Sequence, residues 1–169
     1  LDGGFMLKSE ERKKEKEEKI SAFVTVKEFT DDKFIVMSTK NGTIKKTVLS
    51  AYSNIRRGGI IAITLDKEDS LMEAKLSDGN NDIIIGTSDG LAIRFKEKDV
   101  RVMGRTAAGV RGIRLSKGDV VIGMIVVKNA TTLLVVTDRG FGKRSEIEDY
   151  RLTRRGGKGV ITVKTSERN

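Results

Sequence analysis

A glycine-centred passage occurs three times in this chain of 169 residues, at a spacing close to fifty residues. Its copies read KNGTIKK, SDGLAIR and DRGFGKR, and their turn glycines are Gly42, Gly90 and Gly140, which lie 48 and 50 residues apart. A repeat of this length with several short strands is typical of propeller-like β arrays, in which each unit buries its apolar face against the next. The period therefore predicts an all-β fold built from stacked units.

A second shared element, rich in arginine and glycine, follows each glycine turn. Its copies are IRRGGIIA (55–62), RTAAGVRG (105–112) and LTRRGGKG (152–159). Aligned on Gly59, Gly109 and Gly156, these elements lie 50 and 47 residues apart, close to the period of the turns. We therefore divide the chain into a charged leader or linker and three blade-like repeats of one continuous domain, at 1–19, 20–70, 71–119 and 120–169.

Each repeat is predicted to contain four short strands and one connector. In the first repeat, apolar and polar residues alternate over 22–29, and a buried run at 33–38 ends at the turn Lys40-Asn41-Gly42. Asn-Gly between two such runs is typical of a hairpin with a type I′ turn, which needs positive φ at both central positions. A return strand, a connector and a closing strand complete the unit. Connectors long enough for one helical turn are predicted at 50–54, 97–103 and 146–152.

The distribution of charge indicates a polyanionic partner. The chain has 33 Lys and Arg against 24 Asp and Glu, a net charge of +9. Residues 1–20 carry six groups of each sign, so the whole excess lies in the repeats. A basic surface that belongs to the fold favours nucleic acid as the partner.

Cysteine and histidine are both absent, which excludes a disulfide framework and a thiolate zinc site. We therefore expect a reducing compartment and no metal in this stretch. No apolar run approaches the roughly 18–20 residues of a membrane span. A cytoplasmic protein without a membrane partner is the expectation.

Basic residues recur at matching positions and form the candidate DNA-contacting set. Each return strand carries a pair, of which one member is expected to face outward because neighbours on a strand alternate: Lys45 and Lys46, Arg94 and Lys96, Lys143 and Arg144. A second cluster surrounds the glycine elements and includes one turn residue: Arg56, Arg57, Arg101, Arg105, Arg111, Arg114, Arg139, Arg151, Arg154, Arg155 and Lys158. Repetition in sequence predicts a basic stripe along the rim, which suits a phosphate backbone.

Gly156 and Gly157 allow two interpretations. They would let the main chain approach a phosphate while arginine forks hold its oxygens. Alternatively, they only turn a corner between blades. The neighbouring arginines favour the phosphate contact.

Thr153-Arg154-Arg155-Gly156-Gly157-Lys158-Gly159 resembles the QRRGG[RK]G box of the C-terminal domain of the DNA gyrase A subunit. IIIGTSDGLAIRF (83–95), MGRTAAGVRGI (103–113) and the run at 135–159 resemble the same domain, and the resemblance covers roughly 20–165. It implies a β-pinwheel of five or six four-stranded blades, of which this chain looks like about three. The family's box opens with Gln in the first blade. This copy opens with Thr153 in the last unit, which implies a degenerate copy rather than the box that initiates wrapping.

The resemblance also implies a function. Such domains bind double-stranded DNA and bend or wrap it around their basic rim without catalysing a reaction. The parent would be an ATP-dependent type II topoisomerase of the bacterial cytoplasm, associated with the nucleoid, that introduces negative supercoils. Its partners would be the B subunit, together with the rest of the gyrase A polypeptide. This stretch is expected to need no cofactor and no small-molecule substrate, with ATP and Mg²⁺ used elsewhere in the parent enzyme.

Two alternatives remain. One is the homologous C-terminal domain of topoisomerase IV, which shares the pinwheel and supports decatenation. The other is a protein-interaction propeller whose rim docks an acidic partner. Catalysis by this stretch is disfavoured: Tyr52 and Tyr150 lack the preceding arginine of a cleavage site, and the acidic run at 66–69 is predicted to be a solvated turn.

Overall fold

Short strands dominate the secondary structure, as the period predicts. The computed structural model describes residues 19–54, 56–129 and 131–165, so the predicted leader lies outside the described residues except for Lys19. The described strands are β1 (Phe34–Thr39), β2 (Thr43–Val48), β3 (Leu71–Ser77), β4 (Asp82–Thr87), β5 (Leu91–Lys96), β6 (Val110–Arg111), β7 (Val121–Val127), β8 (Thr132–Val136), β9 (Gly142–Glu146), β10 (Leu152–Thr153) and β11 (Val160–Ile161). Among the described residues the only helical segments are three 3-10 turns, which confirms the all-β prediction.

Each repeated glycine turn joins the two strands of an antiparallel hairpin. Gly42, Gly90 and Gly140 have φ of 87°, 77° and 82°, and the amide of Gly42 donates to the carbonyl of Thr39 at 3.1 Å. Asn41 is not left-handed, and three residues separate the last residue of β1 from the first residue of β2. The predicted type I′ turn is therefore wrong. The loop is a three-residue connection with positive φ at its last residue, a geometry that needs glycine at one position only.

A threonine begins each of these turns, a signal that the repeat analysis missed. The hydroxyl oxygens of Thr39, Thr87 and Thr137 accept the backbone N–H of the residue after the glycine, at 3.2, 3.4 and 3.3 Å. The sequences TKNG, TSDG and TDRG thus share a threonine as well as a glycine. Its side chain satisfies an amide that the bulged loop leaves unpaired.

The sheets do not coincide with the sequence repeats. The first sheet has the order β3-β1-β2-β6, and the second has the order β10-β5-β4-β7 with β11 also on β5. β3 and β6 lie in the predicted second repeat, and β7, β10 and β11 lie in the third. Each of the first two hairpins is therefore completed on both edges by strands from the following repeat. The third hairpin, β8–β9, forms a two-stranded sheet within the described residues.

The predicted connectors each contain one helical turn, which confirms that expectation. These 3-10 turns are Leu49–Tyr52, Glu97–Asp99 and Ile147–Asp149. Their first residues are all buried, and their amides donate to carbonyls just ahead of the hairpins, at 2.7–2.9 Å. The connectors thus tie the end of each return strand back to the start of its own hairpin.

The largest core cluster lies between the first two sheets. Val36 and Ile44 on the first sheet pack with Ile83, Ile85 and Phe95 on the second, all of them fully buried. Two smaller clusters cover the outer faces of these sheets. Because alternate residues of a strand face opposite sides, both sheets are buried on both faces. Each buried isoleucine contributes about 1.5–3 kcal/mol.

Candidate nucleic-acid interface

The arginine-glycine elements lie along the return strands of the preceding hairpins. β6 pairs with β2, and β11 pairs with β5 in the same antiparallel register. Gly109 and Gly159 occupy equivalent places, with φ of 113° and 84°. A Cβ there would lie 2.7 Å from the carbonyl oxygen of Ile44 and 2.5 Å from that of Ala92. Alignment of the third element on Gly156 is therefore wrong: the equivalent residue is Gly159, and the spacing is 50 residues rather than 47.

Lys45 and Lys46, predicted to place one cation at the rim, are both buried, with exposures of 0% and 5%. The Nζ of Lys45 donates to the carbonyl of Ala62 at 2.7 Å and to that of Arg105. Burial, with a smaller effect of the Arg105 charge, lowers the pKa of Lys45 to about 8. The predicted outward orientation is wrong because protein covers both faces of this strand.

Lys46 links the first repeat to the second. Its Nζ donates to the carbonyl of Glu97 at 3.1 Å and lies 3.9 Å from the carboxylate of the same residue. The ring of Phe34 lies below the ammonium, 5.4 Å away. Burial lowers the pKa of Lys46, although the Glu97 charge acts in the opposite direction. Lys46 is therefore an internal connector and not a surface contact.

Arg94 plays the same part between the second and third repeats. Its guanidinium donates to the carbonyl of Ile147 at 2.9 Å and pairs with the buried carboxylate of Asp82 at 2.7 Å. Burial alone would raise the pKa of Asp82, but hydrogen bonds from Lys96 and Arg94 hold it below its usual range. Like Lys46, Arg94 reaches the first residue of the next 3-10 turn. Arg94 is therefore an internal connector as well, and not a candidate for contact with DNA.

Arg105 and Arg155 join successive arginine-glycine elements. Arg105 donates to the carbonyl of Ile61, and Arg155 donates to that of Arg111 at 2.9 Å. Both acceptors lie 44 residues before the arginine, so the two contacts are equivalent. Arg155 also donates to the carbonyl of Asp99 at 2.9 Å. These half-buried side chains connect repeats, which the sequence pattern did not distinguish from phosphate binding.

Gly156 belongs to the same stack of elements. Its amide donates to the carbonyl of Gly112 at 2.6 Å, and the carbonyl of Gly157 accepts from the amide of Arg114 at 2.8 Å. The two glycines therefore do turn a corner between repeats, the simpler of the two interpretations. Whether they also contact a phosphate stays a prediction.

Twelve of the predicted cations remain exposed at the surface. Within the described residues only Lys96 of this group forms an ion pair, with Asp82 at 2.7 Å. Lys143 is exposed and donates to the carbonyl of Thr162 at 3.4 Å. The exposed set is Arg56, Arg57, Lys96, Arg101, Arg111, Arg114, Arg139, Lys143, Arg144, Arg151, Arg154 and Lys158.

Three of these cations line one small concavity, which we call the glycine groove. Arg151, Arg154 and Lys158 surround a space of about 270 Å³ whose wall includes the backbone of Gly157 and Gly159. No acidic side chain lines it. Arginine forks and glycine backbone around a space without carboxylates form an arrangement suited to a phosphate group.

A family model described as "DNA gyrase C-terminal domain, beta-propeller" matches residues 33–78, 81–128 and 131–168. The chain belongs to this family. The DNA gyrase A protein of Staphylococcus aureus (strain NCTC 8325 / PS 47) is 46% identical over 158 residues, which are 92% of this chain and 18% of that protein. The chain thus spans less than a fifth of the length of the curated relatives it matches. The resemblance stated from the sequence is confirmed.

Two solved structures share the fold of this gyrase-family domain. A DNA gyrase A C-terminal domain matches with a TM-score of 0.79 and 27% identity, over 86% of this chain and 49% of that one. The C-terminal domain of a DNA topoisomerase IV matches with a TM-score of 0.79 and 28% identity, over 85% of this chain and 45% of that one. The predicted β-pinwheel architecture is confirmed.

The two tyrosines of this gyrase-family domain have packing contacts. The hydroxyl of Tyr52 donates to the carbonyl of Ala62 at 3.2 Å, and burial raises the pKa of Tyr52. Tyr150 is buried and shares a hydrogen bond with the hydroxyl of Thr162. The equivalent tyrosines thus anchor their own closing segments.

The described part of this domain contains no cluster of three potential metal ligands. The acidic run at 66–69 forms a turn, closed by the Asp69 amide on the Asp66 carbonyl at 3.1 Å. None of the described helices has the length and apolar character that a membrane crossing requires.

Proposed function

We propose that this chain binds and bends double-stranded DNA through its exposed basic surface, as a non-catalytic part of the A subunit of a DNA gyrase. The glycine groove is the observation that supports this most directly. Its three cations line the same space as the backbone of Gly157 and Gly159, whereas Lys46 and Arg94 of the return strands donate to protein carbonyls. Membership of the gyrase C-terminal domain family points to the same ligand.

Bending requires contacts at several places along the duplex. Deforming a short site costs about 1–6 kcal/mol, so one groove is not sufficient. The elements of the second and third repeats follow one another at a 50-residue spacing and both carry exposed arginines. Arg111 lies in the second element, and Arg101 and Arg114 lie just outside it. Repetition of the scaffold thus supplies a row of phosphate contacts along the rim.

The parent protein is proposed to be a bacterial type II topoisomerase. The two solved domains match equally well, so they do not separate gyrase from topoisomerase IV. Identity of 46% to a gyrase A protein over 92% of the chain favours gyrase. The partners would be the B subunit, together with the rest of the gyrase A polypeptide, in the cytoplasm. ATP and Mg²⁺ would act elsewhere in the parent, and this stretch would hold no cofactor.

Salt-dependent binding to duplex DNA tests the groove. Log affinity against log salt has a slope of about −0.9 per neutralised phosphate. The triple variant Arg151→Gln/Arg154→Gln/Lys158→Gln should flatten that slope by about 2–3 and weaken binding at low salt. The matched control is Lys40→Gln/Lys117→Gln/Lys128→Gln, which removes the same charge from exposed residues outside the predicted set. Equal effects of the two triples would contradict a site at the groove.

DNA topology separates binding from wrapping. A relaxed circle would be nicked and religated with the protein bound, and its linking number compared with that of free DNA. A linking change accompanied by affinity that rises with duplex length would mean that the chain wraps DNA by itself. Binding without a linking change would limit it to bending. No binding at low salt would overturn the proposal and favour an acidic protein partner.

A further inference from the structure

The two junctions between repeats share one backbone arrangement. β3 completes the first hairpin, β1–β2, with Phe34 opposite Ser77, and β7 completes the second, β4–β5, with Asp82 opposite Val127. Both ladders are antiparallel, and both shift register at the last pair before the turn. We call β3 and β7 the completing strands. Because the backbone is alike at both junctions, side chains must distinguish a correct completing strand from a wrong one.

At the first junction a buried carboxylate comes from the second repeat. Glu97 is fully buried at the start of its 3-10 turn, and one of its carboxylate oxygens lies 3.9 Å from the Nζ of Lys46. Among the described residues Lys46 forms no other ion pair. The first hairpin itself places the ring of Phe34 beside the ammonium, 5.4 Å away. The buried charge of Lys46 is therefore compensated by the next repeat and not by its own.

The second repeat also orients this carboxylate. The Oε2 of Glu97 accepts the hydroxyl of Ser77, which ends β3, and the backbone and side-chain N–H groups of Asn81, both at 3.3 Å. The side chain of Asn81 donates to the Ser77 hydroxyl as well, at 2.9 Å. Within the described residues the Oε1 of Glu97 accepts no hydrogen bond, so Lys46 is its compensation. The second repeat thus arrives with a carboxylate aimed at the cation of the first hairpin.

At the second junction the buried carboxylate belongs to the hairpin. Asp82 on β4 pairs with Arg94 and with Lys96 on β5, each at 2.7 Å. The third repeat supplies the carbonyl of Ile147 at 2.9 Å, and the side chain of Ile147 is buried among apolar residues. Glu148 lies 3.3 Å from the guanidinium of Arg94, but its side chain is 86% exposed. The second hairpin therefore needs no buried acid from the repeat that completes it.

Three equivalent positions differ as a set between the two junctions. They lie on the first strand of the hairpin, at the end of the completing strand and at the start of the following 3-10 turn: Phe34, Ser77 and Glu97 at the first junction, and Asp82, Val127 and Ile147 at the second. The acid stands in the incoming repeat at the first junction and in the hairpin at the second, where the incoming positions are apolar. Each hairpin and its completing repeat together supply one buried acid for the cation of the return strand.

Exchange of the completing repeats would break this balance. With β7 on the first hairpin, Ile147 would replace Glu97, and Lys46 would remain buried without a carboxylate. A segment carrying Glu97 beside the second hairpin would bring a second carboxylate to Asp82. A buried charge that loses its partner, or meets a like charge, is strongly destabilising because neither water nor a counter-charge compensates it.

We propose that these buried charges determine which repeat completes which hairpin. Backbone pairing holds any completing strand of this register, and Lys46 restricts the first hairpin to the repeat that carries Glu97. Asp82 restricts the second hairpin to a repeat with an apolar residue at the equivalent position. The charges therefore specify the order of the repeats, as single buried polar groups specify register in coiled coils.

Disulfide trapping during refolding tests the selection. The chain has no cysteine, and Ile35 lies opposite Leu76 in the first junction, whereas Val126 is the residue of β7 equivalent to Leu76. Ile35→Cys/Leu76→Cys traps correct completion, and Ile35→Cys/Val126→Cys traps completion by β7, since opposed residues have Cα atoms about 4.5–5.5 Å apart. In the native arrangement Ile35 faces away from the second sheet, so the 35–126 disulfide reports wrong pairing.

Each cysteine pair is refolded from urea in a thiol–disulfide buffer, in the parent chain and with Lys46→Met/Glu97→Leu added. In the parent, the 35–126 disulfide should be at least about a hundredfold rarer than the 35–76 disulfide. Removal of both charges should raise the yield of the 35–126 disulfide by at least about tenfold, because completion by β7 then leaves no buried charge unpaired.

Val100→Ala is the matched control for lost stability. Val100 is fully buried in the cluster between the first two sheets, so its truncation weakens the fold while both charges stay in place. The yield of the 35–126 disulfide in this control should remain at the level of the parent. An unchanged yield in Lys46→Met/Glu97→Leu, an equal rise in Val100→Ala, or similar yields of the two disulfides in the parent would each overturn the proposal.

Discussion

Lys46 on return strand β2 and Arg154 beside the glycine groove both belong to the predicted DNA-contacting set, yet they face different surroundings. The ammonium of Lys46 is enclosed between Glu97 and the ring of Phe34. Arg154 is exposed and lines a groove free of carboxylates. The contrast extends to neighbours, because Arg155 next to Arg154 donates to two backbone carbonyls.

The difference shows that a basic residue that recurs in the repeats can stabilise the contact between repeats instead of binding a ligand. In a stacked β array each repeat presents backbone carbonyls to the repeats on either side of it. A long basic side chain can satisfy these acceptors, and it does so at Lys46, Arg94, Arg105 and Arg155. Only cations beyond the reach of such carbonyls remain available for phosphates.

Removal of Lys46 should have the largest effect on stability. Lys46→Met leaves the fully buried Glu97 carboxylate without its counter-charge, which should lower the free energy of unfolding by about 3–5 kcal/mol. Lys46→Met/Glu97→Leu should recover part of that loss, but not all of it, because Ser77 and Asn81 lose their acceptor on Glu97. Part is recovered because Leu49 and Ile147 occupy the equivalent buried position in the other repeats. Urea unfolding measures both variants, and a double variant less stable than the single one would contradict the pairing.

Substitution of Arg155 and of Arg154 should separate the structural role from the DNA-binding role. The expected effect on the free energy of unfolding is smaller than that at Lys46. Arg155→Gln loses hydrogen bonds to the carbonyls of Asp99 and Arg111 and should cost about 1–3 kcal/mol of unfolding free energy. Arg154→Gln should change stability by no more than about 0.5 kcal/mol and should weaken DNA binding instead. Each variant is the control for the other. The reverse pattern would show that the structural and ligand-binding arginines have been exchanged.

The pH dependence of stability gives the last test, through the buried ammonium of Lys45. Its pKa is about 8 in the folded protein against an ordinary value of 10.5, so between these values the unfolded chain binds more protons than the folded one. Stability therefore rises with pH across this window, since the free energy of unfolding increases wherever the unfolded state holds the extra proton. Relative to Lys45→Met, the parent should gain stability from about pH 8 to pH 10.5. A constant difference between the two would contradict a buried, perturbed ammonium.

Local features of the fold could be predicted from the sequence because local residues determine them. Glycine turns, short return strands and single helical turns each depend on a few neighbouring residues, and all appear in the structure. Strand exchange could not be predicted this way. Strands at equivalent positions of the repeats have similar patterns of apolar and polar residues. The sequence pattern alone therefore does not indicate which of them pairs with the free edge of β1.

The candidate site was harder to predict for two physical reasons. The RRGG sequence occurs in the first and third elements, which suggests aligning Gly156 with Gly59. In the structure, however, Gly159 is the residue that packs against the return strand at the equivalent position. Alternation along a strand predicts one exposed member of the Lys45–Lys46 pair, but this holds only when one face of the sheet is solvated. Stacking on both faces removes that distinction.

Exchange of strands between repeats has a consequence for how arrays of this kind change length. Within the described residues, the second repeat supplies the finishing strands of the first hairpin and the third repeat supplies those of the second, in the same backbone register. A gene duplication of any fifty-residue stretch, wherever its ends fall within the period, would insert a repeat without requiring a new backbone register. The shared register therefore determines how two repeats join, and it places no limit on the number of repeats.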